Sequence, residues 1–154
     1  MNHTISEKLL ELGVDLLTPA TPVANYVGFV QTGNLIFTSG QLPLKDGQFV
    51  ATGLLGRDLD VESGQLAAKW CAINILAQVR SALGDLERIG RLVKITVFVA
   101  ASPDFSEHHL VANGASDFFA EALGERASHC RSAVGVSSLP MNAPVEIEAT
   151  IEIA

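Results

Sequence analysis

The amino-acid sequence predicts an α+β fold of two layers, with two long helices on one face of a single mixed sheet. Three observations carry this prediction. The last segment of the chain alternates apolar and polar residues, the pattern of a half-buried strand. Two longer segments repeat apolar residues at helical spacing. The patterns follow one another as strand, strand, helix, strand, helix, strand, strand, and hairpins at both ends favour helices on one side of one sheet.

The N-terminal part of the chain predicts a short helix followed by a β-hairpin. Thr4 and Glu7 have the spacing of a capping box, and a glycine can end the helix that the box begins. Prolines make the stretch 18–24 a loop, because each proline removes a backbone donor. The hairpin strands are predicted over 26–31 and 34–38, around a Thr-Gly turn. The next stretch is a loop with at most a short edge strand, because glycines and a proline interrupt it.

Two helices and a strand are predicted in the middle of the chain. A broad apolar stripe over about 60–83 indicates the longest helix, which Asp60 or Ser63 can cap. Valines and isoleucines over 92–101 indicate a buried strand. Apolar residues at helical spacing over about 106–123 indicate the second long helix. The stripe of the longest helix consists of Leu66, Trp70, Ile73, Leu76, Ala77, Val79 and Leu83.

The C-terminal hairpin places charged groups on two strands. Arg131 stands at the head of an apolar strand, and a proline-bounded turn leads to the final strand, 145–153. We expect the core face of the final strand to consist of Val145, Ile147, Ala149, Ile151 and Ile153, and its other face of Glu146, Glu148, Thr150 and Glu152. Because an arginine fork matches a carboxylate, Arg131 and a nearby glutamate could hold an anionic metabolite beside a proton-transfer group.

Composition restricts the classes of function. The chain has 154 residues, a net charge of −7 and ten dispersed basic residues, which argues against nucleic-acid binding, since phosphate neutralisation supplies most of that affinity. A mean hydropathy of +0.32 favours burial at subunit interfaces, with sheet packed on sheet. With no apolar run long enough for a membrane and no signal-peptide pattern, we expect a cytoplasmic protein. We expect one domain, 1–154, with an N-terminal helical extension at about 1–20.

Residue patterns alone leave each candidate site residue open. Arg131 could be an ordinary ion-pair residue, and Glu146 could lie on a solvated face. Tyr26 could line a pocket or fill an interface. Ser39 and Gly40 offer a hydroxyl and an open backbone amide at a strand end, but Ser-Gly is also a common loop dipeptide.

The cysteines and histidines do not show the spacing of a metal site. Cys71 and Cys130 are isolated from each other and from other ligand types. His108 and His109 are neighbours on a predicted helix, point about 100° apart and cannot chelate together. His129 precedes Cys130, but successive strand residues face opposite sides and form no nucleophilic dyad.

Three segments of the chain have the residues of a known family in the family's spacing. They are Tyr26 with Gly33-Asn34 and Thr38 to Pro43, Val93 to Val99 with Asp104-Phe105, and Arg131-Ser132 through Leu139-Pro140 to Ala149. With these segments the chain resembles a divergent branch of the RidA/YjgF family. These are imine and enamine deaminases, formerly labelled endoribonuclease L-PSP or translation initiation inhibitor. The resemblance implies a chorismate-mutase-like fold and a homotrimer whose sheets pack into a central barrel.

The resemblance also implies a site between neighbouring subunits. Arg131 would grip the carboxylate of a small metabolite, and Glu146 would position or activate the attacking water. Tyr26, Ser39 and Gly40 would line the same pocket.

The implied reaction is hydrolysis of a 2-imino or enamine acid to a 2-keto acid and ammonia, as in 2-iminobutanoate/2-iminopropanoate deaminases. It would need neither a metal nor an organic cofactor. Ala133 would also line the substrate pocket. It stands where the deaminases commonly carry cysteine, and its backbone carbonyl can still serve. Two other interpretations stay open: a non-catalytic trimer that binds a keto acid or a similar metabolite, and an endoribonuclease or translation inhibitor, which the acidity of the chain disfavours.

Overall fold

The computed structural model describes residues 2–15, 18–22 and 24–154, and Val23 of the predicted loop lies outside them. The long elements follow one another in the predicted order. The α-helices of this part of the chain are α1 (Ile5–Glu11), α2 (Val61–Leu83) and α3 (His108–Leu123), and its strands are β1 (Phe29–Thr32), β2 (Leu35–Thr38), β3 (Leu44–Lys45), β4 (Gln48–Phe49), β5 (Ile89–Ala100), β6 (Cys130–Val136) and β7 (Val145–Ile153).

Five of the strands form the main sheet, in the order β1-β2-β7-β5-β6. β5 and β6 pair in parallel, and the other neighbours pair antiparallel, so the sheet is mixed. The apolar sides of α2 and α3 share one buried core with alternate residues of β5 and β7. The predicted α+β architecture, with one main sheet and two long helices, is therefore confirmed. The predicted C-terminal hairpin is wrong, because β5 lies between β6 and β7 and pairs with both.

The final strand shows the two faces of this sheet. The side chains of Val145, Ile147, Ala149 and Ile151 are buried, and Ile153 is partly buried against the same core. The intervening positions Glu146, Glu148, Thr150 and Glu152 are exposed or half-exposed. The alternation in the sequence therefore predicts the buried and open faces of β7 correctly.

The open face of the main sheet is partly apolar. Phe37 pairs with Val30 and also with Thr150, which lies on the same face of β7 as Glu146. The strand register places Val134 on this face too. Val30, Phe37 and Val134 are 54%, 43% and 43% exposed. Exposed apolar side chains grouped on one sheet face are typical of a surface that packs against another subunit.

The helix ends have the predicted caps. Thr4 and Glu7 form the capping box of α1, with the Thr4 hydroxyl accepting from the Glu7 N–H at 3.1 Å. At the start of α2 the Asp60 carboxylate accepts from the Ser63 N–H at 2.8 Å, so Asp60 is the cap. Gly84 ends α2 with a φ of 76°, a conformation that costs other residues more.

One position of the predicted α2 stripe is wrong. Leu66 is 50% exposed, whereas the following Ala67 and Ala68 are fully buried. At this point of α2 the buried residues are small, and α3 approaches so closely that a side chain on Gly114 would overlap the Gln65 carbonyl. Leu66 is therefore displaced to the outer groove between the two helices.

Two predictions for the N-terminal half are also corrected, one about a strand boundary and one about a loop. The first strand begins at Phe29 and not at Tyr26, because its partner β2 ends opposite Phe29. The predicted loop 42–55 contains the hairpin β3–β4. Asp46 and Gly47 at its turn have φ angles of 52° and 77°, as a two-residue turn with two left-handed residues requires.

Candidate functional site

Arg131 lies on the edge strand β6 and faces the helices. It pairs with Ile95 of β5, which is fully buried beneath them. The Nη1 of Arg131 donates to the Ser116 Oγ at 3.0 Å, and its Nη2 donates to the His109 carbonyl at 3.0 Å. Since both acceptors belong to α3, the guanidinium is held along the side of this helix.

A histidine extends this hydrogen-bonded group. The Nε2 of His129 lies 2.9 Å from the Ser116 Oγ, and its Nδ1 contacts the Ala127 carbonyl. The imidazole ring also packs edge-on against Phe119, with 6.3 Å between ring centroids. Arg131, Ser116 and His129 thus form one connected polar group, which we name the arginine edge.

Ala133 lies beside the arginine edge, on the same side of β6. It pairs with Val97 and is partly buried against the core. In the part of the chain that the structure describes, β6 is the last strand of the sheet and has a partner on one side only. Its outer backbone groups are therefore open to a ligand or to another chain.

Glu146 lies near the start of β7, on the open face of the sheet. A Cβ on Gly40 would lie 2.7 Å from the Cδ of Glu146, so a larger residue here would displace the carboxylate from its present position. Burial, and then the charge of Glu148, raise the pKa of Glu146 above its ordinary value. A carboxylate with a raised pKa is suited to exchange a proton with a substrate or a water.

Tyr26 and Ser39 lie close to Gly40, which in turn lies beside Glu146. The Ser39 hydroxyl donates to the Val27 carbonyl at 2.6 Å, and the Ser39 N–H donates to the Gly28 carbonyl at 2.9 Å. These bonds tie the segment with Tyr26 to the end of β2. Tyr26 and Gly40 line a cavity of about 40 Å³, which has room for only a few waters. We name the surface formed by Tyr26, Ser39, Gly40 and Glu146 the glutamate face.

A single chain does not bring Arg131 and Glu146 together. Arg131 pairs with Ile95, and Glu146 pairs with Phe98. Ile95 and Phe98 are three positions apart on β5, so they face opposite sides of the sheet. The arginine edge and the glutamate face are therefore two separate surfaces, and a ligand held by both would need two chains.

His108 and Cys71 have structural environments. His108 packs edge-to-face on Phe105, with 5.2 Å between centroids, and covers Gly135. Burial raises the pKa of the Cys71 thiol well above its ordinary value, while Cys130 is exposed. Within residues 2–15, 18–22 and 24–154, no cluster of three potential metal ligands occurs. None of the helices described has the length and hydrophobicity of a membrane-spanning segment.

Ser116 is a polar residue of the arginine edge that the sequence alone does not indicate. It lies on α3, and Arg131 and His129 lie on or next to β6, so the three meet only because α3 packs against this strand. The one available signal is His129, two residues before Arg131. An alternating strand puts residues at this spacing on the same face.

The main sheet is mixed, has five strands and packs against two long helices. These features define an α+β protein of the chorismate-mutase-like type, with an arginine at the edge of the sheet and a half-buried glutamate on its open face. The family model described as "YjgF/chorismate_mutase-like, putative endoribonuclease" matches residues 6–151. The chain belongs to the YjgF family.

Similar proteins carry different functional names. Protein TCP17 of Trypanosoma cruzi is 45% identical over 150 residues, which are 97% of this chain and 94% of that protein. The 2-iminobutanoate/2-iminopropanoate deaminase of Escherichia coli K12 is 29% identical over an alignment of 135 positions that covers 82% of this chain and 86% of the deaminase. The family therefore includes imine deaminases, one of which is a more distant relative than TCP17.

Solved structures of similar proteins also carry different functional descriptions. Atu1372 of Agrobacterium tumefaciens, a protein of unknown function, has a TM-score of 0.89 and 54% identity, with 97% of this chain and 92% of that chain covered. A Shewanella oneidensis protein titled "putative endoribonuclease" has a TM-score of 0.94 and 29% identity, with coverage of 97% and 99%. Escherichia coli TdcF with bound serine has a TM-score of 0.67 and 28% identity, with coverage of 91% and 96%. The backbone is thus less similar to TdcF than to the first two, as a divergent branch would be.

Proposed function

We propose that this protein hydrolyses reactive 2-imino and enamine acids to 2-keto acids and ammonia. The observation that carries the proposal is Glu146, a carboxylate held against Gly40 with a raised pKa. Family membership supports it, because a relative that aligns with 82% of this chain is named a 2-iminobutanoate/2-iminopropanoate deaminase. The guanidinium of Arg131 provides the anion-binding group that such an acid needs.

The chemistry assigns one role to each charged group. Arg131 binds the substrate carboxylate and orients the imine carbon. Glu146, in its ionised form, accepts a proton from a water as the water oxygen bonds to this carbon. The proton then passes to the nitrogen, which gives a tetrahedral carbinolamine. Glu146 next accepts the proton of the new hydroxyl group and passes it to the amino nitrogen, so the carbon–oxygen double bond forms as the carbon–nitrogen bond breaks, and ammonia and the 2-keto acid leave. Water is the only co-reactant, and an imine carbon is already electrophilic, so orientation and proton transfer through one carboxylate suffice.

We further propose that the site forms between chains of a homotrimer. The arginine edge and the glutamate face lie on opposite sides of the sheet in one chain, so each chain would give one surface to each of two sites. Such contacts join two different surfaces, and contacts of this kind form a ring when the rotation between neighbouring chains closes. The apolar side chains of Val30, Phe37 and Val134 on the open face would be buried in the same assembly.

The test is an imine-hydrolysis assay. An amino-acid oxidase generates 2-iminopropanoate from alanine, and semicarbazide traps the imine that has not yet been hydrolysed. We expect the protein to reduce the trapped fraction and the Arg131→Ala variant to lose this activity. Arg57→Ala is the matched control, since Arg57 is exposed and pairs only with its neighbour Asp58 among the ion pairs described. A wild-type protein no faster than buffer would contradict the proposal.

A second candidate function is non-catalytic binding of a small metabolite. The observation that favours it is the similarity to TdcF, whose structure contains serine. This function needs Arg131 but not a proton-transfer group. Tight binding of 2-oxobutanoate without any imine hydrolysis would support it. The endoribonuclease name of other relatives is tested by RNA cleavage with the Arg131→Ala control, and the net charge of −7 disfavours that activity.

A further inference from the structure

The donor and the acceptor of each hydrogen bond in the arginine edge can be assigned. A carbonyl oxygen only accepts, so the Nδ1 of His129 carries a proton and donates it to the Ala127 carbonyl. In the neutral imidazole, Nε2 then accepts from the Ser116 hydroxyl at 2.9 Å. A guanidinium only donates, so the Ser116 Oγ accepts from Nη1 of Arg131 at 3.0 Å. The Ala127 carbonyl thus fixes the direction of every bond up to the guanidinium.

The partners of Arg131 are uncharged, which matters for its use as an anion site. Among the described residues no carboxylate forms an ion pair with its guanidinium. An aspartate or glutamate at the position of Ser116 would neutralise Arg131 and compete with a bound carboxylate. A hydroxyl and a carbonyl hold the guanidinium and leave its full charge available.

Two fixed contacts also restrict the motion of the guanidinium. Ser116 and the His109 carbonyl each accept from a different Nη atom, so the plane of the group is held at two points. An arginine has five N–H donors, and the other three have no partner among the hydrogen bonds described. A side chain that is ordered before a ligand arrives loses less conformational entropy on binding.

We propose that Ser116 and His129 are positioning residues for Arg131. His129 orients the Ser116 hydroxyl, and Ser116 holds the guanidinium in the orientation that receives the substrate carboxylate. This inference rests on the proposed function and deepens it, because it names what prepares the anion-binding group. It concerns orientation only, and neither Ser116 nor His129 takes part in the chemical step.

The experiment compares Ser116→Ala with Ser116→Thr, which retains the hydroxyl, and with Ser81→Ala, which removes an exposed serine from α2. His129→Phe is the second variant, because a phenyl ring can keep the packing against Phe119 without either nitrogen. Alanine is a better helix former than serine, so Ser116→Ala is expected to fold.

Two measurements separate this inference from the proposed function. The first is the ¹⁵N NMR signal of the Arg131 side chain, whose order is expected to fall in Ser116→Ala and in His129→Phe. The wild-type His129 ring is expected to carry its proton on Nδ1 at pH 8. Unchanged order of Arg131 in Ser116→Ala, or a proton on Nε2, would overturn the inference whether or not the protein is an enzyme.

The second measurement is the affinity for 2-oxobutanoate by calorimetry, together with kcat and KM for imine hydrolysis. We expect Kd and KM to rise roughly fivefold to tenfold in Ser116→Ala and His129→Phe. The kcat should stay near the wild-type value, because ground state and transition state lose the same contact. Ser116→Thr and Ser81→Ala should resemble the wild type. A loss of kcat with unchanged Kd would overturn the positioning role, and a wild type that neither binds nor hydrolyses would instead contradict the proposed function.

Discussion

Arg131 and Glu146 are charged groups on strands of one sheet, but the molecule holds them by different means. Hydrogen bonds from Arg131 to Ser116 and to the His109 carbonyl fix the guanidinium, whose charge they leave intact. Glu146 is instead half-buried against Gly40, and burial, followed by the charge of Glu148, disfavours its charged form. An anion-binding group needs a constant charge and a fixed orientation, whereas a general base works best when its pKa lies near the operating pH.

The largest expected effect in this comparison is that of Glu146→Gln on turnover. The amide has the shape of the carboxylate but cannot accept the proton of the attacking water. We expect kcat to fall roughly 10²- to 10⁴-fold, the usual contribution of a general base. The Kd for 2-oxobutanoate, measured by calorimetry, should stay close to the wild-type value because the arginine edge is intact. Loss of binding together with kcat would show that the two surfaces do not have separate roles.

Gly40→Ala is expected to have the next largest effect. The new methyl group would lie 2.7 Å from the Cδ of Glu146 and must displace the carboxylate. A misplaced catalytic group costs about tenfold to 10²-fold in kcat, whereas the stability should change little because the displaced carboxylate is the far end of a flexible side chain. Steady-state kinetics and thermal unfolding measure the two effects.

Gly135→Ala provides the comparison for this variant. Its methyl group would meet the end of the His108 ring, which is a side chain that can move, and not Glu146. We expect kcat to change little in Gly135→Ala. Equal losses of kcat in both variants would mean that the contact between Gly40 and Glu146 has no special role.

Local sequence patterns predict most of the fold and less of the site. The alternation of β7 and the capping residue Asp60 are local features, and both are confirmed. The hairpin at Asp46 was predicted only as a possible short strand, although Asp-Gly is a strong signal for a two-residue turn. The first strand begins late because its partner strand ends, which depends on strand pairing and not on the residues near Tyr26.

The site depends on contacts between distant segments. Ser116 contacts Arg131 only through the packing of α3 on β6, and Gly40 contacts Glu146 only through the path of the chain after β2. The separation of Arg131 and Glu146 follows from the register of two strands on β5. The sequence shows which residues alternate on one strand, but it does not show how that strand aligns with its neighbours.

A smaller effect is expected from Glu148→Gln on the pH dependence of kcat. Glu146 must be ionised to act as a base, so kcat falls as the pH drops through its pKa. The charge of Glu148 contributes to the raised pKa of Glu146, after burial. Removing that charge favours the ionised form of Glu146 and lowers its pKa, so the acid limb of the profile should move to lower pH.

Glu152→Gln is the control for this shift. It removes the same charge from the same face of β7, but six residues away along the strand, which is roughly 20 Å. Its acid limb should coincide with that of the wild type. An acid limb that does not move in Glu148→Gln, or that moves equally in Glu152→Gln, would exclude the local interaction between the two carboxylates.

The smallest expected effect is on stability, and its sign again distinguishes the glutamate face from the arginine edge. Folding raises the pKa of Glu146 above its ordinary 4.5, so the ionised carboxylate is less favourable in the folded than in the unfolded chain. Its contribution to stability therefore falls as the pH rises through the raised pKa. Glu146→Gln, which is neutral at every pH, should have a slightly higher Tm than the wild type at pH 7, and the difference should vanish below about pH 4.5.

Ser116→Ala, which removes a satisfied hydrogen bond, should not raise the Tm in this pH-dependent way. Thermal unfolding of the three proteins at both pH values measures this, and a Tm difference between Glu146→Gln and wild type that grows on acidification would contradict the assigned cause.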